Sequence, residues 1–200
     1  MATAPTYRQM WPIYARYWDR MKIKANRQAE VDSACNKLLA HKARYLACEE
    51  FTCVPWHMIA VLHMRESGAR FDRQLGQGDP LNRPSVNEPK GRGPFLTFEE
   101  SAYDALVVLK RYNTVPDWRL EKILYWCERW NGWGYWLYHE NMPSPFIWGA
   151  TSIQKIGKYV ADNTWDPDVW DSQLGCAPML KVLEQINQPV PGTIEYMRET

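Results

Sequence analysis

Apolar residues between positions 26 and 50 fall at Val31, Ala34, Cys35, Leu38, Leu39, Tyr45 and Leu46, a spacing that draws one stripe along a helix. The next stretch, "VPWHMIAVLHMRESG" over residues 54–68, follows a different rule. Trp56, Met58, Ile59, Ala60, Val61, Leu62 and Met64 leave almost no polar face, and a helix apolar all round is a buried one. Pro55 suits its first turn, where a missing N–H costs nothing. Gly68 suits its end, where a left-handed residue turns the chain out.

From 70 to 94 the pattern dissolves into Gly, Pro, Asn and Asp, with "QGDPLNRPSV" and "EPKGRGP". This predicts a long loop, with room for a short hairpin, and a loop of that length inside a compact domain is usually functional. Thr97 followed by Glu100 is a capping box and predicts a helix reaching Tyr112. Asp117 is read as the cap of another, reaching Arg129. The segment "WNGWGYWLYHENMPSPF" is read as irregular, residues 152–161 and 175–188 as helices, and the tail beyond Pro189 as loosely held. The expectation is one mostly helical domain over residues 1–200. It divides into an N-terminal helical region (1–50), a core (51–188) and a loose tail (189–200).

Composition narrows the function classes. The 200 residues are 46% hydrophobic and 24% charged, a globular balance. A formal net charge of +1 gives no bulk attraction to nucleic acid, and the basic run "RMKIKANR" reads best as a solvated helix end. Apolar runs such as 58–62 and 105–109 fall far short of the roughly 20 residues a bilayer needs. The first residues, "MATAPTYRQM", lack the pattern of a secretory signal, so the chain is expected to be cytoplasmic when made. Five cysteines without CxxC spacing read as reduced and mostly buried, with a Cys48–Cys53 bridge as the alternative. No HExxH, zinc-finger spacing, P-loop or GxGxxG is present, so no metal or other cofactor is expected.

The candidate chemistry starts at Glu66, the glutamate that ends the buried helix. Burial and the negative end of the helix dipole both disfavour a carboxylate, so both favour a protonated acid. Such a group can donate to a leaving oxygen. The plain alternative is a surface glutamate at a helix end, paired with His63 or Arg70.

Three further motifs follow: "FLTFEESAYDAL", "ERWNGWGYWLYH" and "SPFIWG", with "GKYVADNTWDP" after them. With the Glu-Ser helix end and its "QGDPL" loop, they resemble the lysozyme-like superfamily, and more narrowly its phage and bacterial peptidoglycan hydrolases. The likeness covers residues 54 to about 178. It implies a mostly α, α+β lysozyme-like fold, with a long loop or small hairpin after the catalytic helix. It also implies a muramidase that cuts the β-1,4 link between N-acetylmuramic acid and N-acetylglucosamine, with Glu66 as general acid. The second carboxylate would be Asp79, with Asp72 a poorer choice; Asp79 reads equally well as turn chemistry. Glu99 and Glu100 are lesser candidates, Glu100 being explained by the capping box.

The "WNGWGYW" loop is aromatic and glycine-punctuated. Its rings either plug the core or stack on sugar faces, and the resemblance favours Asn131, Trp133 and Tyr135 as substrate contacts, with Trp148 as a weaker wall. The implied partner is the glycan strand of the cell wall, reached by a monomer after release from the cytoplasm. The competing expectations are lytic transglycosylase or chitinase-like cleavage on the same fold, and a non-catalytic glycan-binding or virion protein.

Overall fold

The computed structural model describes residues 3–161 and 163–186. The predicted tail beyond 189 lies outside them. Nine α-helices and one two-stranded antiparallel sheet form the described residues, which bears out a mostly helical class with little sheet. The described residues contain no helix long and apolar enough to cross a membrane.

The chain divides into two compact units. The first joins Met1–Ser33 to Arg119–Thr200, and the second is the intervening Ala34–Trp118. The first crossing falls inside helix α2 (Gln28–Ala40), so no linker composition marks it in the sequence.

In the intervening unit, the stripe read over residues 26–50 is carried by two helices, because His41 leaves helical geometry between α2 and α3 (Lys42–Thr52). Helix α4 (Trp56–Ser67) follows, with Pro55 as N-cap and every residue from 56 to 63 buried. Removing so many side chains from water, at roughly 1.5–3 kcal/mol for each large one, anchors α4 as the axis of this unit. Segment 70–96 is irregular, with one isolated bridge between Arg73 and Pro80 and no hairpin. Thr97 caps α5 (Phe98–Tyr103) by accepting from the Glu100 N–H. The Glu100 carboxylate reaches the Leu96 N–H at 2.8 Å, one residue earlier than a capping box requires. The helix then widens into a π-helical turn, Asp104–Leu109, and ends short of the expected Tyr112. Helices α4 and α5 both pack on α3.

The other unit starts with α1 (Tyr7–Arg20), whose buried Met10, Tyr14 and Trp18 form a single stripe. Helix α6 (Leu120–Asn131) is capped by Arg119 and not by Asp117. The reason is tertiary: the Trp118 indole donates to the Cys53 carbonyl at 2.7 Å, which holds residues 117–118 out of the helix. Short helices α7 (Gly134–Tyr138) and α8 (Pro145–Trp148) occupy the segment read as irregular. Strands β1 (Lys158–Ala161) and β2 (Thr164–Asp166) replace the helix predicted over 152–161. Gly157 sits at φ +112 with the Trp165 ring where a Cβ would be, a conformation no helix can continue. Helix α9 (Cys176–Gln185) closes the unit, packed with α8 and α6. No disulfide joins any of the five cysteines, of which Cys53 is exposed and the rest are buried.

Candidate functional site

Glu66 stands in the last turn of α4 and is half-buried. The turn beneath it is closed as the sequence predicted. Gly68 is left-handed at φ 64, ψ 33, and its N–H bonds back to the helix, while the Ala69 N–H bonds to the His63 carbonyl at 3.1 Å. The Ser67 hydroxyl also donates to the His63 carbonyl, and the Lys37 ammonium donates to the Gly68 carbonyl at 2.6 Å.

His63 fixes where the chain goes next. Its ring is fully buried, stacked on Phe98 with centroids 4.1 Å apart, and edge-on to Phe71 at 4.7 Å. Nε2 lies 3.1 Å from the Arg70 carbonyl and Nδ1 lies 3.0 Å from the Tyr45 hydroxyl. A carbonyl only accepts, so Nε2 carries the proton and Nδ1 accepts from Tyr45. Burial lowers the His63 pKa to about 4, which leaves the ring neutral near pH 7. The sequence offered His63 as a partner for Glu66. The structure commits both ring nitrogens elsewhere, and the described residues contain no cluster of three metal-ligating side chains.

The loop after this turn is built on three buried polar side chains, Gln74, Asp79 and Ser85. The Gln74 amide donates to the carbonyls of Pro80 and Arg83 at 3.1 and 2.9 Å. Ser85 Oγ donates to the Pro89 carbonyl and accepts from the Arg92 N–H. One carboxylate oxygen of Asp79 accepts from the N–H groups of Val86 and Asn87, at 3.0 and 3.1 Å. The Leu75 N–H donates to Ser101 Oγ and ties the loop to α5.

Gly78, left-handed at φ 68, passes so close to α4 that a Cβ there would lie 3.5 Å from the Glu66 carbonyl oxygen. The loop that carries Asp79 therefore abuts the turn that carries Glu66. What the sequence reading left open was the use of Asp79, whose carboxylate holds the loop together. Asp72 is exposed and ion-paired with Arg70 at 2.9 Å, and those bonds hold its carboxyl below the usual range. Glu99 accepts from two guanidinium nitrogens of Arg44, Nε and Nη2, at 2.7 and 2.9 Å.

The aromatic candidates belong to the other unit. Asn131 ends α6 and is exposed. Trp133 is buried against Tyr125, centroids 5.3 Å apart. Tyr135 is buried edge-on to Tyr159 and Trp165, and its hydroxyl accepts from the Tyr159 N–H at 3.3 Å. Trp148 is 0% exposed and packs on Tyr14 and Tyr17. A ring with no solvent-facing surface offers nothing for a sugar to stack on, so Trp148 belongs to the core and not to a wall. Of the four, Asn131 alone presents its side chain to solvent.

One group the sequence reading passed over is Glu128, 2% exposed in α6. Tyr14 donates to one of its oxygens at 2.7 Å, and burial raises the carboxyl to about 7. A glutamate on the buried side of an amphipathic helix was the available signal.

No protein-family model, curated protein or solved structure matches this chain.

Proposed function

We propose that the protein is a peptidoglycan-cleaving glycosidase with Glu66 as general acid. The observation that carries this reading is the placement of Glu66. It is a half-buried carboxylic acid in the last turn of a buried helix, on a turn held by His63 and bordered by the Gly78 loop. A protonated carboxyl can donate to the glycosidic oxygen as the bond to the anomeric carbon breaks. In the other unit, Asn131, an exposed amide beside Gly132, is a separate candidate for contact with an acetamido group. The reading includes action on the cell wall after release from the cytoplasm, and requires no cofactor.

The first form of the reaction is hydrolysis, with Asp79 orienting water or stabilising the oxocarbenium-like transition state. A second form is favoured by the two N–H groups bound to the Asp79 carboxylate. In that form Glu66 acts alone: it protonates the leaving glycosidic oxygen, the 6-hydroxyl of the muramyl residue attacks C1 as that bond breaks, and the Glu66 carboxylate takes up the hydroxyl proton, leaving an anhydro end.

The test is release of soluble muropeptides from purified sacculi by wild type and Glu66→Gln, with the ends read by mass spectrometry. Gln keeps the size and cannot supply the proton, so release should fall about a hundredfold or more. Reducing ends identify the hydrolase and anhydro ends the transglycosylase. Binding to sacculi without release, or equal rates in the two proteins, would overturn the glycosidase reading in favour of a glycan-binding protein.

A further inference from the structure

The unit that contains Glu66 also holds a cavity of about 450 Å³ whose lining includes Phe51, Phe95, Tyr103, Glu99, Glu100 and Asp104. Its aromatic walls are open to water. Phe51 is 43% and Tyr103 44% exposed, with ring centroids 6.0 Å apart and planes tilted by 49°. Two large rings left this wet and this close cost free energy unless something covers them.

The charge on the lining has one sign. Three of its residues are acidic and none is basic. Arg44 and Arg92, which pair with Glu99 and Asp104, are not among the lining residues. Glu100 is itself exposed and is bonded to the Leu96 N–H. The two arginine pairs offset two of the three charges and leave a net of about one negative charge beside the rings. Glu99, Glu100 and Tyr103 come from α5, and Asp104 opens the π-helical turn that follows it. Such turns are rare and concentrate at functional sites.

Aromatic faces together with a carboxylate suit a cation that also has apolar surface. We propose that this cavity binds an ammonium on an aliphatic stem, the side chain of a lysine or another diamino acid in a peptide. The stem lies against Phe51, Phe95 and Tyr103, and the ammonium reaches Glu100. A neutral sugar would use the rings and leave the charge unanswered. In peptidoglycan this group is the diamino acid of the peptide attached to the glycan. That last identification rests on the glycosidase reading, whereas binding of the ammonium does not.

The experiment titrates the ¹⁵N-labelled full chain with Nα-acetyl-lysine N-methylamide, and separately with the norleucine analogue, which lacks the ammonium. Saturable shifts are expected at the amides around Phe51, Glu100 and Tyr103, with norleucine about fivefold weaker or worse. Glu100→Gln keeps an acceptor for the Leu96 N–H, and Tyr103→Leu sits on the surface. Each should weaken the lysine probe about fivefold without lowering Tm. Glu66→Gln should bind it as wild type does. Equal binding of norleucine, no saturable shift, or a chitooligosaccharide occupying the same amides would each overturn the proposal. A chain that binds the probe and releases no muropeptide would refute the glycosidase reading alone.

Discussion

His63 Nε2 donates to the Arg70 main-chain carbonyl at 3.1 Å, and this bond fixes the exit of the chain from the turn that carries Glu66. The donor is the last fully buried residue of α4 and the acceptor is the second residue past Gly68. On the proposed reading Glu66 is a general acid, whose geometry would have to hold to within a fraction of an ångström; the buried His63 imidazole holds the turn that carries it.

His63→Phe should keep the ring stack on Phe98 and strand the Tyr45 hydroxyl and the Arg70 carbonyl. Tyr45 is buried, and a buried polar group left without a partner costs about 1–3 kcal/mol. A fall in Tm, together with a loss of muropeptide release larger than the remaining folded fraction explains, would assign His63 a positioning role. Release that merely tracks the folded fraction would make it structural only.

Stability should also carry a signature of His63 on the acid side. Its folded pKa of about 4 lies below the ordinary 6.5, so the unfolded chain binds the proton more readily. The contribution is present in full above pH 6.5 and is lost as pH falls through 4, up to roughly 3 kcal/mol. Tm measured from pH 7.5 to 4 should drop across that window, and His63→Phe should flatten the drop.

Glu128 has the opposite sign. Its carboxyl is raised from 4.5 to about 7, so its contribution is complete below pH 4.5 and is lost as pH rises through 7. Glu128→Gln removes the charge and keeps an acceptor for Tyr14. It should raise Tm at pH 8 by the equivalent of roughly 2–3 kcal/mol and change it little at pH 4. No gain at pH 8 would mean that the native carboxylate finds water.

Asp79 separates the two forms of the reaction. Asp79→Asn keeps an acceptor for the Val86 and Asn87 N–H groups, whereas Asp79→Ala strands both and should cost about 1–3 kcal/mol. If the carboxylate only holds the loop, Asn should retain most of the muropeptide release while Ala loses stability. Collapse of release in a stable Asp79→Asn protein would instead make Asp79 the second catalytic group.

Asn131→Ala changes an exposed helix-end residue and should leave Tm within about 0.5 kcal/mol of wild type. A severalfold weaker affinity for sacculi at unchanged Tm would support Asn131 as a glycan contact. Unchanged affinity would exclude that role for Asn131.

The parts of this protein that were legible in the sequence are those governed by neighbours along the chain. A run apolar on every side had to be buried, so α4 could be read directly. A glycine after Glu-Ser could take the left-handed turn at Gly68 without strain, and Thr97 could cap α5. Each depends on a few adjacent residues and their dihedral preferences.

Tertiary structure decided the rest, because those outcomes rest on partners far apart in the chain. The spacing over 152–161 suited a helix until Trp165 filled the space beside Gly157. Asp117 suited a cap until Trp118 bonded to Cys53. Trp148 suited a wall until Tyr14 and Tyr17 enclosed it. Asp79 suited either a turn or a catalyst, and the N–H groups of Val86 and Asn87 gave it a structural task. The sequence alone determined which segments must leave water and where the chain can turn. Only the folded chain determined which buried polar groups meet, since a hydrogen bond depends on distance and direction that one-dimensional spacing does not contain.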